Sequence, residues 1–372
     1  MAAPDGSSSL SQLTALRFVA AFAVLLSHLD FLGDGSGRVS GWLYETLLRQ
    51  GYCGVSFFYI LSGFILSHAY GDRLRQGSVT LRSYMMSRIF RIAPLHWLMA
   101  LLFIGWLALA GDMPRPGTIL LNLGLMHAWV PDPSIHYALN GPSWSLSDEL
   151  AFYAAFPWLC RMQTRSLGLY LSGGLFLITV WALIMARQGG YSATEEWVFY
   201  VLPPVRLIDF IVGMLLYRAW RSGYGHTLSG TGAEVAVVIA VPAAMIGFSL
   251  MALPMPLRWQ LAYLPIMAAA VLIFAHGRGA VSRALRHPWM ILLGQSSFAL
   301  YLTHRPIITL VHRLWGGDPA HYLSMSLSLP PLCVGVSLMI FLFLERPMMA
   351  RLRHGAWAHD RKRGRIKAWR PS

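Results

Sequence analysis

The chain predicts an all-α fold: a polytopic membrane bundle of about ten spanning helices with both termini in the cytoplasm. Three observations carry this reading. Hydrophobic residues make up 56% of the 372 and charged residues only 12%, where a soluble domain would carry about 25% charge. Apolar runs near the length that crosses about 30 Å of hydrocarbon recur along the whole chain. Basic residues, finally, gather in alternate connecting segments, as the orientation of spans in a membrane demands.

The runs fall, in order, at 12–32, 52–70, 92–111, 144–160, 167–186, 197–217, 231–250, 258–276, 289–313 and 323–344. With the N-terminus inside, the inner segments hold 21 of the 30 basic residues. The outer segments hold Arg38, Arg49, Arg115, Arg187, Arg258 and Arg313, and three more, Arg17, Arg206 and Arg305, lie within spans. One apolar stretch, 118–129, is too short to cross and reads as an interfacial or re-entrant helix. Counting it as a span would invert everything after it and break the charge bias. Residues 1–11 read as a short inner tail, 12–348 as one membrane domain, and 349–372 as a basic, disordered inner tail. No cleavable leader and no appended soluble catalytic domain are expected.

The net charge of +14 does not point to nucleic acid, because the basic residues, 28 of the 30 of them arginine, concentrate in alternate segments as membrane topology demands. Cys53, Cys160 and Cys333 lie in or beside apolar runs without metal-ligand spacing, so they read as small buried thiols and no metal is expected.

Ionisable groups inside spans are costly and normally face a polar cavity or a partner. Arg17 and His28 stand eleven positions apart in the first run. That is about three turns, so they share a face roughly 16 Å apart along the axis. An imidazole can take a hydroxyl proton near neutral pH and return one, which suits acyl transfer to an alcohol. Arg82, Arg88 and Arg91 precede the third run, and the last two are three apart, hence on one helical face that could hold phosphates. Pro94 then marks a break or kink.

In 140–153 (NGPSWSLSDELAFY), Ser143 or Ser145 could cap a helix whose first turn carries Asp148 and Glu149. Glu149 could equally pair with an intramembrane arginine. Gly54, Ser56, Ser62 and Gly63 suit close helix packing in lipid. Tyr301, Thr303, His304 and Arg305 together need partners or water at their depth. Arg206 and Asp209, three apart, could neutralise each other. Glu345, before Arg346 and Pro347, reads as a structural ion-paired helix end.

These pieces together resemble acyltransferase family 3, the membrane-bound bacterial O-acyltransferases of surface and secreted carbohydrates. The stretches are LTALRFVAAFAVLLSH, GVSFFYILSGFILS, RIFRIAP, SWSLSDELAFY, SFALYLTH and LERP, in order over about residues 10–348. The resemblance implies a multi-pass protein of the bacterial inner membrane that takes acetyl-coenzyme A as donor and a carbohydrate hydroxyl, free or lipid-linked, as acceptor. It implies Arg17 and His28 as the essential pair, Arg88 and Arg91 as the donor-binding arginines, and Glu149 as the acidic position, with Asp148 beside it as a rival. Ser143, Trp144, Ser145, Tyr153, Tyr301 and His304 are expected to touch or support the substrate. A transporter or flippase of acyl groups or lipid-linked sugars remains an alternative reading, as does a non-carbohydrate alcohol as acceptor. Acetyl versus a longer acyl group, and direct transfer versus an acyl-enzyme, stay open.

Overall fold

The computed structural model describes residues 10–33, 37–187, 192–315 and 321–349. Of the tails expected at 1–11 and 349–372, residues 1–9 and 350–372 lie outside them. Among the described residues there is no strand. Helices of eight or more residues follow in order as α1 (Ser11–Ser27), α2 (Arg38–Thr46), α3 (Gly54–Leu66), α4 (Leu81–Ala110), α5 (Pro116–Leu123), α6 (Trp144–Leu159), α7 (Thr164–Ala186), α8 (Pro203–Arg221), α9 (Thr231–Leu250), α10 (Leu264–His276), α11 (Pro288–Leu314) and α12 (Tyr322–Ile340). By length and composition, six continuous helical stretches among the described residues could cross a membrane. Helices α1 and α10 are apolar but shorter.

Two expected boundaries move. The first run, read as 12–32, stops being helical at Ser27, and a 3-10 turn over Asp30–Leu32 follows. The Asp30 carboxylate accepts from Tyr44 and pairs with Arg305, so this segment is fixed by side chains rather than by continued helix. Helix α4 begins at Leu81, not near 92, and Thr80 caps it by accepting from the backbone N–H of Ser83. Arg82, Arg88 and Arg91 therefore ride on its first turns. Pro94 does not break it: the helix runs on to Ala110. Proline is tolerated inside buried membrane helices because neighbours meet the freed backbone groups. Helix α5, eight residues long, covers about 12 Å and does not span.

The centre is built by α1, α3, α8 and α11, packed as the pairs α1 with α11 and α3 with α8. Glycines set both approaches. Gly63 meets the Phe210 carbonyl and Gly213 the Ile60 carbonyl, while Gly294 sits on the Thr14 carbonyl. In hydrocarbon, helices gain little from burying apolar surface against each other, so close backbone contact through small residues is the main source of adhesion. The long helices α4, α7 and α9 lie outside this centre and leave Leu101, Leu109, Phe176 and Ile239 exposed, as lipid-facing side chains should be.

Gly213→Ala puts a methyl against the Ile60 carbonyl and should destabilise the protein in detergent by about 1–3 kcal/mol. Gly335, which has open space around it, should accept alanine with no loss or a slight gain. Thermal unfolding midpoints of the two variants measure the contrast.

Candidate active site

The C-terminal end of α1 delivers His28 as the first residue past the helix. Its Nδ1 lies 2.8 Å from the Val24 carbonyl and 3.2 Å from Nε2 of His304. Nδ1 of His304 lies 3.1 Å from the Leu300 carbonyl. A carbonyl only accepts, so Nδ1 of His304 carries a proton and its Nε2 is an acceptor. Nδ1 of His28 faces that acceptor and the Val24 carbonyl, so it carries a proton as well. The hydrogen-bond network thus assigns the tautomer of His28 and leaves its Nε2 as the lone-pair atom. Arg305, next to His304, pairs with Asp30 at 3.0 Å and closes the same corner.

At the other end of the shared face, half-buried Arg17 sits in the electrostatic field of Arg91, Glu149, Glu345 and Tyr153. Residues from α1, α4, α6 and the end of α12 thus converge. Glu149 accepts a 2.6 Å hydrogen bond from Tyr153. Arg88 lies 4.9 Å over the ring of Tyr70, donates to its hydroxyl at 3.2 Å, and stands 6.0 Å from the ring of Tyr153. Arg91 stacks 5.0 Å over Phe298 and pairs with Glu345. Between the two ends, Tyr301 faces the Ser145 hydroxyl, with its ring 6.0 Å from that of His304. Guanidinium groups thus stand toward one end of α1 and an imidazole pair at the other, about 16 Å along the helix.

Two of the expected residues turn elsewhere. Ser143, fully buried, lies 3.3 Å from Nε2 of His127, and the ring of Trp144 packs tilted against that of Tyr200 at 4.8 Å. Neither is brought to His28. Adjacent Asp148 and Glu149 separate because successive helical residues point about 100° apart. Asp148 faces the core and accepts from Tyr59 at 2.8 Å, whereas Glu149 faces the arginines.

Sequence reasoning missed several partners. Glu345 reads locally as a helix end beside Arg346, but its partner is Arg91, 254 positions earlier. Tyr70 and Asp30 gave no signal as the supports of Arg88 and Arg305. A buried polar group of His96, Asn122 and His127 was also missed. Its histidine rings are parallel at 6.3 Å. Only the presence of several polar residues in an apolar context (118–140) could have flagged it.

Comparison with known proteins adds the chemistry. A family model described as an acyltransferase domain matches residues 10–344. The chain is 31% identical over 330 residues to Acyltransferase MdmB of Streptomyces mycarofaciens, across 83% of this chain and 81% of that protein. It is 30% identical to the exopolysaccharide production protein ExoZ of Rhizobium meliloti, across 81% of this chain and 90% of that one. The peptidoglycan O-acetyltransferase OatA of Listeria monocytogenes is 23% identical, across 79% of this chain but 49% of its own length. No solved structure matches. Between the enzyme and the transporter that the sequence leaves open, this decides for the enzyme. The chain is a multi-pass membrane acyltransferase, and it belongs to acyltransferase family 3.

Proposed function

We propose that this protein is an O-acetyltransferase of the bacterial inner membrane that moves an acetyl group from acetyl-coenzyme A to a hydroxyl of a surface or secreted carbohydrate. The observation that carries the reading is the His28–His304 pair, which leaves Nε2 of His28 free at one end of α1, with Arg17, Arg88 and Arg91 toward the other. The exopolysaccharide and peptidoglycan relatives supply the acceptor class.

In the reaction, the donor phosphates lie against Arg88 and Arg91, whose guanidinium forks suit them. The extended arm of the coenzyme runs along the Arg17–His28 face and brings the thioester to the imidazole. His28 Nε2 takes the proton from the acceptor hydroxyl as its oxygen forms a bond to the thioester carbonyl carbon. The tetrahedral intermediate collapses, the carbon–sulfur bond breaks, and the thiolate leaves with the proton returned by His28. His304 is a positioning residue: the Val24 carbonyl accepts the Nδ1 proton of His28 at 2.8 Å, and Nε2 of His304, 3.2 Å away, is a second acceptor that fixes the ring. Glu149, with Tyr153, steadies Arg17. Tyr301 and Ser145 line the way between. Transfer is direct, with no acyl-enzyme.

His28→Ala should lower turnover by about 10²–10⁴ with the protein still inserted and folded. His304→Ala should also lower it, and His304→Gln should recover part of the loss, because the amide oxygen can accept from His28. Thioester consumption by purified protein with an acceptor glycan measures both. Equal activity of the alanine and glutamine variants would remove the tautomer argument.

The two neighbouring carboxylates should separate cleanly. Asp148→Ala takes the 2.8 Å acceptor from the buried Tyr59 hydroxyl and leaves it only the Ser145 carbonyl at 3.4 Å, and should cost about 1–3 kcal/mol of stability. Glu149→Gln should leave the unfolding midpoint in place and lower turnover. The same activity assay and a thermal melt decide it.

Sidedness follows from the donor, which is made in the cytoplasm. Ser78 and Val39 are both exposed. A cysteine at Ser78, near the arginine end, should resist an impermeant thiol reagent on intact cells. One at Val39, on α2 beside the His28 end, should react. The native cysteines are buried. Labelling at 78 from outside would turn the donor site away from its substrate.

A further inference from the structure

We infer that Glu345 occupies the place of a donor phosphate while the donor site is empty, and that donor binding must release it together with the turn that follows α12. This rests on the reading of Arg91 as a phosphate ligand.

The carboxylate of Glu345 is 2% exposed and paired with the Arg91 guanidinium, while Arg91 keeps 21% of its side chain accessible. Arg17 feels the same carboxylate. Two of the three arginines at this end of α1 thus surround one internal anion, and the cation that should take a phosphate already holds one. Only one oxygen of Glu345 is bonded: Oε2 is buried and without a hydrogen-bond partner among the described residues. An unmet oxygen alone does not mark the site, because Asp148 and Asp209 in the core have them too; what sets Glu345 apart is that its partner Arg91 is reachable, whereas Arg206 is wholly buried.

The local backbone suits that role. Residues Phe341–Glu345 form a π-helical turn that interrupts regular α geometry. Such turns are uncommon and recur at functional sites. The same guanidinium also touches Sδ of Met349 at 3.5 Å and the Phe298 ring, so the last described turn of the chain hangs on Arg91. A diphosphate brings at least two negative charges to a cluster that already balances Arg17, Arg88 and Arg91 against Glu149 and Glu345. Phosphate and carboxylate repel at this range in a low-dielectric site. The phosphate gains the guanidinium, and Glu345 leaves it. Glu345 is therefore a specificity device: a thioester lacking phosphates has nothing with which to displace it.

Glu345→Gln removes the competing charge and keeps the shape. It should lower the KM for acetyl-coenzyme A, by about tenfold, with the acceptor KM unchanged. A residue that only braces the fold would show the opposite sign, a raised or unchanged donor KM with a lower unfolding midpoint, and that result overturns the inference. Arg91→Ala separates the two readings. A flat donor KM in that variant removes Arg91 from the donor site, and the inference falls with it. A raised donor KM there, with no fall in Glu345→Gln, leaves the donor site standing and sinks Glu345 alone. The wild-type protein gives an independent check. Adding coenzyme A should speed amide hydrogen exchange across 341–349, and slowed or unchanged exchange counts against release.

Discussion

The ion pair of Arg206 with Asp209 is the interaction on which the arrangement of the bundle depends. Both side chains are fully buried, 3.0 Å apart on one face of α8. A lone charge at that depth would be prohibitive, and even a pair needs further partners. Arg206 finds them in the Ser56 hydroxyl of α3, the Trp259 carbonyl before α10, and the rings of Tyr59 and Tyr200. Tyr59 passes the constraint on by donating to Asp148. The rotation of α6 is thereby tied to the core, and with Asp148 turned inward Glu149 is presented to Arg17. A charge pair with no part in the chemistry thus decides which of two adjacent carboxylates reaches the candidate site.

The glycine contacts do the complementary work. Gly294 on the Thr14 carbonyl brings α11 against α1 with no side chain between them. These two helices run side by side in the same direction, so His304 arrives beside His28 and Phe298 beside the arginine end. Packing of this kind leaves little freedom. The imidazole pair is held by backbone carbonyls one helical turn below each ring, and such carbonyls cannot move without the helix.

Much of this was legible in the sequence, for physical reasons that can be named. Apolar runs long enough for a bilayer mark helices regardless of partners, and α6, α7, α9 and α11 fall within a few residues of where hydropathy places them. Arg17 and His28 declare themselves because charge inside such a run is rare, and Arg206 with Asp209 because they stand one turn apart. What hydropathy does not encode is where a helix ends when side chains take over its capping. Asp30 and Tyr44 stop α1 early, and Thr80 starts α4 early, through contacts that a composition window averages away. Partners far apart in the chain are harder still. Glu345 has a plausible neighbour in Arg346, and nothing in one sequence says that it reaches back to Arg91. His304 stood out as a buried polar residue, yet its bond to His28 became visible only once α1 and α11 lay together.

The early end of α1 has a consequence for the membrane itself. Seventeen residues cover about 25 Å, less than the hydrocarbon they sit in. Helices α6 and α10, also near the middle of the bundle, are shorter still at 16 and 13 residues. The long helices with exposed apolar faces, such as the 30-residue α4, meet the lipid and satisfy its thickness. Helix α1 is therefore much shorter than its partner α11, which runs for 27 residues, and the longer helices carry the hydrophobic match. His28, at the end of α1, thus stands where that helix stops short of the full hydrocarbon depth. For the carbohydrate acceptor proposed above, selection at that end would then turn on shape and reach rather than on partitioning into oil.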